Sequence, residues 1–130
     1  MAHASVGCTS AFVALASVNF DRLVSFYSDL LNQPAQPYQR DRYAEFRLPG
    51  LRLAIFKPNP DQTSQFAAPS SGAMSLCLEV TDLERAIAHL TQLGYAPPGP
   101  GLTASHGREI YAYDPDGNRL ILHQSSAARG

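Results

Sequence analysis

Apolar residues recur along the chain with two periods, one typical of helices and one typical of strands. In NFDRLVSFYSDLL, from Asn19, and in DLERAIAHLTQLG, from Asp82, they follow the i, i+3, i+4, i+7 spacing of an amphipathic helix. Apolar patterns typical of short strands occupy 12–18, 42–48, 51–57, 75–80, 108–113 and 118–124, and weaker strands are expected near 35–40 and 96–103. Each helix therefore follows one strand and precedes three.

The two helical segments match each other at an offset of 63 residues, since 82 − 19 = 63. Apolar positions coincide at this offset, which indicates an internal repeat. Asn19 and Asp82 stand at N-cap positions, where their side chains are expected to accept from free amides of the first turn. Asn32 and Gly94 are residue types that end helices in a left-handed conformation. The chain is thus predicted to contain two copies of a β-α-β-β-β unit.

Two turn signals lie within the repeat, each between two predicted strands. They are Pro49-Gly50 and the sequence DPDG at 114–117, and both predict β-hairpins. The segment 58–72 is polar and rich in Pro and Ser, which is typical of a connector. We therefore predict an α+β fold in a single domain of residues 1–130, with module 1 at about 10–57, a linker at 58–72 and module 2 at about 73–125.

The strands predict two faces of different character, because successive side chains point to opposite sides of a sheet. One face is apolar throughout and is expected to pack under the helices: Val13, Leu15, Ala44, Phe46, Leu48, Leu53, Ile55, Leu76, Leu78, Val80, Leu120 and Leu122. The opposite face mixes aromatic, small and charged residues: Phe12, Ala14, Ala16, Tyr43, Glu45, Arg47, Arg52, Ala54, Phe56, Ser75, Cys77, Glu79, Arg119, Ile121 and His123. The mixed face is interpreted as the wall of a ligand-sized cleft. A solvent-exposed sheet face, or one covered by a partner chain, is the alternative.

Composition excludes several kinds of partner. The formal net charge is −1 and charged residues make up 16% of the chain, with no cluster of Lys and Arg, so we expect no nucleic-acid and no membrane partner. No apolar run is long enough to span a bilayer, and the first residues lack a signal-peptide pattern. Cys8 and Cys77 are few and far apart, so they are expected to be free thiols, packed or partly buried, in a reducing cytoplasm.

The repeated unit resembles the vicinal oxygen chelate superfamily, which includes glyoxalase I, extradiol dioxygenases, fosfomycin-resistance enzymes and bleomycin-binding proteins. Four pieces carry the resemblance: FVALASVNFDRLVSFYSDLLN, LRLAIF, SLCLEVTDLERAIAHLTQLGY and YAYDPDGNRLIL. The sequence DPDGN followed by an alternating strand is the most specific of them. The resemblance implies two βαβββ modules whose curved sheets surround a shared cleft, and frequent homodimerisation.

In metal-using members of that superfamily, four strand positions supply His and Glu ligands. Carried over to this chain, the resemblance places these ligands at Phe12, Ala54, Ser75 and Ile121. Phe, Ala and Ile have no lone pair for a transition metal, and a Ser hydroxyl is a poor ligand. We therefore expect no metal and no other cofactor.

The mixed face still offers groups that could bind an organic ligand. Arginines there suit a carboxylate or phosphate, aromatic rings suit a flat ligand, and His123 with Glu79 suits orientation or acid–base work. The alternatives are solvated charges, ion pairs to Glu45 or Glu79, and simple packing. Neither a nucleophile–base–acid pattern nor a glycine-rich phosphate loop is visible. His106 is placed in an exposed loop beside the cleft mouth, and contact with the ligand is the alternative. The predicted ligand-binding residues are Phe12, Arg47, Arg52, Phe56, Ser75, Cys77, Glu79, Tyr111, Tyr113, Ile121 and His123, with no catalytic residue.

The function expected from these residues is metal-free binding of a small organic molecule, without catalysis, by a homodimer. The rival hypothesis is a metal-dependent lyase, isomerase or dioxygenase with a relocated site that uses His123, Glu79 or Glu45. A third hypothesis is an interaction or regulatory subunit whose sheet face is covered by a partner.

Overall fold

Two four-stranded sheets and two helices form the part of the chain that this computed structural model describes, residues 5–67 and 72–126. Sheet A contains β1 (Val13–Ala16), β2 (Tyr38–Gln39), β3 (Tyr43–Leu48) and β4 (Leu51–Phe56), with helix α1 (Phe20–Leu31) between β1 and β2. Sheet B contains β5 (Leu76–Glu79), β6 (Leu102–Ala104), β7 (Gly107–Tyr113) and β8 (Arg119–Ser125), with helix α2 (Leu83–Leu93) between β5 and β6. The predicted α+β architecture of two βαβββ modules is confirmed.

The two sheets repeat one topology. Their strand orders are β1-β4-β3-β2 and β5-β8-β7-β6, and the first strand of each pairs in parallel with the last. Val13 pairs with Leu53 in sheet A, and Leu76 pairs with Leu120 in sheet B, so the first strands are offset by 76 − 13 = 63. The helices begin at the same offset, because 83 − 20 = 63. The repeat inferred from apolar spacing is therefore also the structural repeat.

The helix ends follow the predicted positions with one difference. The carboxylate of Asp82 accepts from the Arg85 backbone N–H at 3.1 Å and caps α2. The side chain of Asn19 makes no such bond, so that part of the prediction was wrong. Asn19 instead donates its own N–H to Ser17 Oγ at 3.1 Å. Asn32 and Gly94 both end their helices in the left-handed conformation, as predicted.

One apolar core lies between the helices and the helix-facing sides of both sheets. Burying a Leu or Ile side chain contributes roughly 1.5–3 kcal/mol, so the strand registers that bring these residues inward are strongly favoured over a one-residue slip. The core includes Leu23, Tyr27, Phe46, Leu53, Ile55, Leu83, Leu90, Ile110, Leu120 and Leu122, with Val13, Leu15, Leu76, Leu78 and Val80 packed at its edge. The predicted apolar face is therefore the helix-facing one in both sheets.

The DPDG turn joins the second module to the first. The carboxylate of Asp114 is 3% exposed and accepts from the backbone N–H groups of Asp116 and Asn118, both at 2.9 Å, and from Asn118 Nδ2 at 2.8 Å. It also accepts from the hydroxyl of Tyr27, on α1, at 2.7 Å. Burial, and then the Asp114 carboxylate, raise the pKa of Tyr27 far above its ordinary value. The hydrogen bond from Tyr27 to Asp114 therefore links the DPDG turn of module 2 to helix α1 of module 1.

The connector and the cysteines differ from expectation. Within the predicted linker, Pro60–Phe66 forms a short 3₁₀ helix, and residues 68–71 lie outside the described ranges. Cys8 and Cys77 are free thiols as predicted, but both are exposed, so their predicted packing was wrong.

Among the described residues, neither helix has the length and apolar character required to cross a bilayer.

Candidate functional site

The sides of the sheets that point away from the helices carry the predicted site residues. We call them face A, on sheet A, and face B, on sheet B. Strand alternation and register give their membership. Face A contains Phe12, Ala14, Ala16, Tyr43, Glu45, Arg47, Arg52, Ala54 and Phe56, and face B contains Ser75, Cys77, Glu79, Glu109, Tyr111, Tyr113, Arg119, Ile121 and His123.

Glu45 lies at the centre of face A and is only 8% exposed. Its carboxylate accepts from the Tyr43 hydroxyl at 2.7 Å and pairs with Arg52 at 3.5 Å. Burial, and then this hydrogen bond to Glu45, raise the pKa of Tyr43. Glu45 pairs in register with Ala54, which is fully buried. The middle of face A thus holds a partnered carboxylate, and the Arg52–Glu45 ion pair is one of the alternatives that the sequence left open.

Two aromatic residues extend face A on either side of Glu45. The guanidinium of Arg52 lies over the Phe12 ring, 4.9 Å from its centroid, and donates to Ser10 Oγ at 2.7 Å. Phe12 is still 48% exposed. Phe56 makes an edge-to-face contact with Phe66 of the 3₁₀ helix, with ring centroids 5.3 Å apart. Face A therefore offers an exposed ring beside a cation.

Arg47 does not join this cluster. Its side chain is exposed at the end of β3, and its backbone N–H and C=O bond to the side-chain amide of Gln33 at 3.2 and 3.1 Å. It also lines a groove between the modules. The structure therefore places Arg47 beside this groove rather than in the Glu45 cluster.

A chain of hydrogen bonds between ionisable groups crosses face B. Nδ1 of His123 lies 2.8 Å from Glu79 Oε1, and Nε2 of His123 lies 3.0 Å from Nδ1 of His106. If Nδ1 of His123 donates to the carboxylate, its Nε2 accepts from Nδ1–H of His106, and every bond in the chain is satisfied. Nε2 of His106 then remains available at the exposed end.

His106 is exposed in a turn, as predicted, but its contact with His123 was not predicted and it was left out of the predicted site. The signal lay in the hairpin register. Tyr113 pairs with Arg119 and Glu109 pairs with His123, so counting outward from the DPDG turn brings His106 close to His123. Gly107, between them, pairs with Ser125, and a Cβ there would collide with the Gln124 carbonyl oxygen. The close approach of the two imidazoles therefore depends on a glycine.

The rest of face B combines a small apolar hollow with a fixed arginine. Tyr111 and Tyr113 line a hollow of about 270 Å³ with Leu102 and the 98–100 segment, and Tyr111 is 41% exposed. Nη1 of Arg119 donates to the Gly72 carbonyl at 2.8 Å and to Ser75 Oγ at 3.2 Å. Cys77 pairs in register with Ile121. This face can bind a flat apolar body beside a cation.

The residues present do not fit the metal that the superfamily resemblance implies. Ala54 and Ile121 hold equivalent places in the two sheets. Ala54 pairs with Ala14 and Ile121 pairs with Cys77, and Ala14 and Cys77 are related by the 63-residue offset of the repeat. Neither side chain can donate to a cation. Within residues 5–67 and 72–126 of a single chain, no group of three or more His, Cys, Asp and Glu side chains is placed to hold an ion. Glu79, His123 and His106 bond to one another rather than around a common point.

A single chain keeps faces A and B apart. The strands form two separate sheets, and the modules contact each other on the helix side, through α1, α2 and the Tyr27–Asp114 bond. In the described part of the chain, no ring contact joins the aromatic residues of face A to those of face B. That Phe12, Phe56, Tyr111 and Tyr113 stack on a flat ligand stays a prediction.

Comparison with known proteins agrees with this architecture. The model of the Glyoxalase/Bleomycin resistance protein/Dioxygenase superfamily matches residues 9–122. No curated protein matches the chain.

Solved structures share the fold at low sequence identity. A glyoxalase-related enzyme from Fulvimarina pelagi is 19% identical with a TM-score of 0.71, covering 91% of this chain and 89% of that one. A glyoxalase/bleomycin resistance protein from Catenulispora acidiphila is 22% identical with a TM-score of 0.64, covering 88% and 96%. The fosfomycin resistance protein FosX from Listeria monocytogenes is 17% identical with a TM-score of 0.71, covering 93% and 96%. At these identities the likeness concerns the fold alone.

Proposed function

Because this chain belongs to the Glyoxalase/Bleomycin resistance protein/Dioxygenase superfamily, we propose that it binds a small organic molecule between faces A and B without a metal and without transforming it. One observation carries the proposal. The four places where the superfamily resemblance expects ligands hold Phe12, Ala54, Ser75 and Ile121, while the surrounding faces keep exposed rings and cations. Such a surface binds by stacking, apolar burial and charge rather than by coordination.

We propose that the complete site forms in a homodimer, with face A of one chain opposite face B of its partner. Two features support this arrangement. The modules of one chain contact each other on the helix side, which leaves both mixed faces turned away from that contact. In addition, β1 and β5 are edge strands in sheets A and B, so each has one side free for pairing. A symmetric dimer would then contain two equivalent clefts.

The side chains favour a flat ligand that carries an anionic group. Phe12 and Tyr111 are half-exposed rings on opposite faces, so a planar body could be held between them. Arg52 lies over the Phe12 ring, and Arg119 pairs in register with Tyr113 on face B, so either arginine could recognise a carboxylate or phosphate of the ligand. Glu79 and His123 would orient polar groups at the other end. The net charge of −1 favours neither nucleic acid nor an anionic membrane as partner, and the two free thiols are consistent with the proposed cytoplasmic location.

Equilibrium titration tests this proposal. Untagged protein is titrated by calorimetry with planar aromatic carboxylates and phosphates, and with their uncharged amide or alcohol analogues. Saturable binding of an anionic planar class is expected, and it should be abolished by Ile121→Arg and weakened by Tyr111→Ala. Tyr95→Phe on the helix side of the fold is the matched control and leaves the affinity unchanged. Failure of every class to bind would contradict the proposal.

The Glu79–His123–His106 chain favours a second candidate, an isomerase or lyase that transfers protons. Nε2 of His106 would take a proton from a C–H or O–H group of the ligand, while Nδ1–H of His106 passes its proton to Nε2 of His123. The products are the ligand anion, neutral His106 and an imidazolium at His123 held by the Glu79 carboxylate. Oriented acid–base groups of this kind contribute typically 10²–10⁴-fold to a rate.

Hydrogen exchange distinguishes the two candidates. Ketones and 2-oxo acids are incubated with the protein in D₂O, and loss of the α-proton signal is followed by NMR. Exchange that His123→Gln abolishes, and that the control His89→Gln on α2 retains, would establish the enzyme. Binding of a ligand without any exchange would leave the first candidate standing.

A further inference from the structure

The internal repeat makes the two hairpin turns directly comparable. Leu53 and Leu120 hold the same place in their sheets, so β4 and β8 are offset by 120 − 53 = 67. The last pair of the first hairpin, Leu48 with Leu51, then corresponds to Asp114 with Asn118. Leu48 and Leu51 enclose Pro-Gly, whereas Asp114 and Asn118 enclose Pro-Asp-Gly. The first turn therefore lacks one residue, the counterpart of Asp116.

The missing residue matters because Asp116 binds an arginine. Nη2 of Arg22, on the first turn of α1, lies 3.2 Å from Asp116 Oδ1 and 3.3 Å from the Pro115 carbonyl oxygen. The counterpart of Arg22 is Arg85 on α2, since 85 − 22 = 63. Among the residues that the structure describes, no acceptor or carboxylate bonds to the guanidinium of Arg85. Arg85 thus occupies the place in module 2 that Arg22 occupies in module 1, but without a carboxylate partner corresponding to Asp116 in the described ranges.

A groove of about 820 Å³ occupies this place, beside the shorter turn and α2. The equivalent pocket beside the DPDG turn is about 410 Å³. Tyr27, whose hydroxyl bonds to Asp114 in the DPDG turn, corresponds at the 63-residue offset to Leu90, which has no hydroxyl to bond the shorter turn. The larger groove therefore lies beside the turn that has one residue fewer and no such bond. Its lining includes the apolar residues Leu30, Leu31, Leu48, Leu78, Val80 and Leu122.

The charges around the groove leave two cations without a partner. Arg47 and Arg85 both line it, and across residues 5–67 and 72–126 neither guanidinium has a hydrogen-bond or ion-pair partner. Glu79 and Asp82 also line the groove, but their carboxylates are engaged by His123 and by the Arg85 backbone N–H. An anion that enters the groove therefore meets free arginine donors above an apolar floor.

We propose that this groove binds a small molecule with one carboxylate on an apolar body. The ligand carboxylate pairs with Arg85 in the way that the Asp116 carboxylate pairs with Arg22. The guanidinium of Arg47 adds a second positive charge at the rim of the groove. The apolar body lies on the leucine and valine floor. A volume of this size is within the range that holds drug-sized ligands. Arg47 of face A and Glu79 of face B reach the rim of the groove, but its apolar floor is on the helix side of the sheets, so this site is distinct from a cleft between faces A and B.

Binding of decanoate, below its micelle concentration, tests the site in the full chain. Decanoate, decanol and decylamine are titrated into labelled protein, and methyl NMR follows Leu78 and Val80 in the groove and Ile121 on face B. Decanoate is expected to shift the groove methyls, and Arg85→Gln is expected to weaken its binding about tenfold or more, since it removes a charge-assisted pair. The matched control is Arg40→Gln, at an exposed arginine that does not line the groove.

Rebuilding the missing residue gives a second, independent variant. Inserting one Asp between Pro49 and Gly50 recreates the Pro-Asp-Gly of the other turn. The inserted carboxylate is expected to pair with Arg85 and to abolish decanoate binding. The methyl resonances of the groove should remain dispersed, as in a folded protein. Decanol is expected to bind at least tenfold more weakly than decanoate. Equal binding of decanol and decanoate, affinity that is unchanged in Arg85→Gln, or shifts confined to Ile121 would each overturn the proposal. Because Ile121 reports on face B separately, failure here is distinct from failure of the proposed function.

Discussion

At the scale of single residues, two carboxylates are buried in different parts of the molecule. Glu45 lies on a mixed face and Asp114 lies between the modules, and both are less than a tenth exposed. Each is surrounded by donors, as a buried charge requires. The alternation of strand residues predicted that Glu45 would be on the mixed face. It could not predict burial, because that depends on Tyr43 and Arg52 folding over the carboxylate.

Removal of the Tyr27 hydroxyl should change how stability depends on alkaline pH. Burial and Asp114 raise the pKa of Tyr27 above its ordinary 10.0, so the unfolded chain ionises first. The contribution is complete below pH 10 and is lost as the pH rises further, by about 1.4 kcal/mol per pH unit. Urea unfolding of wild type and Tyr27→Phe between pH 9 and 11 is expected to show a shallower decline for the variant, and parallel declines would contradict this origin.

Replacement of Gly107 by Ala should damage both stability and the imidazole pair. Gly107 has φ 144°, and a Cβ there would meet the Gln124 carbonyl oxygen and lie 3.0 Å from His123 Nε2. We expect a loss of roughly 2 kcal/mol or more in the free energy of unfolding. The control Gly99→Ala has no atom within 4 Å of the added carbon. Denaturant unfolding measures the difference, and equal midpoints for the two variants would contradict the crowding.

At the scale of elements, hydrophobic periodicity predicted both helices and every strand longer than three residues. The apolar side chains that these elements bury recur with the local period of a helix or a strand, so the sequence alone reveals them. It did not predict the 3₁₀ helix Pro60–Phe66, which has no buried residue and whose Phe66 ring rests on Phe56. It also assigned Asn19 a side-chain capping bond that is not formed, because Asn19 is held instead by its own N–H, which donates to Ser17 Oγ. Both differences arise from side-chain contacts that have no periodic signal.

The DPDG turn should be the element whose loss is most damaging. Asp114 accepts from Asp116, from Asn118 and, across the module boundary, from Tyr27. Asp114→Ala leaves these buried donors unsatisfied, so we expect a loss of roughly 3 kcal/mol in the free energy of unfolding. Asp61→Ala, at an exposed position in the 3₁₀ helix, is the control and should stay within about 0.5 kcal/mol of wild type. Chemical denaturation would contradict the account if the two variants lost equal stability.

At the scale of the whole molecule, the sequence predicted which residues share a face but not which faces meet. Alternation placed Glu45 and Ile121 on mixed faces, and that assignment agrees with the sheet registers. How the two modules pack depends on contacts such as Tyr27 with Asp114, which are 87 residues apart in the chain. His106 was missed for a related reason, since its approach to His123 depends on hairpin register and on Gly107.

Subunit mixing should show whether a cleft is shared between chains. Phe12→Arg on face A and Ile121→Arg on face B are each expected to abolish ligand binding. When the two variants are mixed and allowed to exchange subunits, half of the dimers contain one of each chain, and each of these has one intact cleft, so about a quarter of the sites recover. Titration of the mixture with the ligand measures this fraction. No recovery, with exchange verified by native mass spectrometry, would contradict a cleft between chains.

The most direct test of metal-free binding is a ligand isotherm measured on protein stripped of metal by a chelator and then repeated after addition of Ni, Zn, Fe or Mn. Since Phe12, Ala54, Ser75 and Ile121 offer no suitable donor set, the dissociation constant is predicted to be the same with and without each ion. Binding that appears only after an ion is restored would contradict the account.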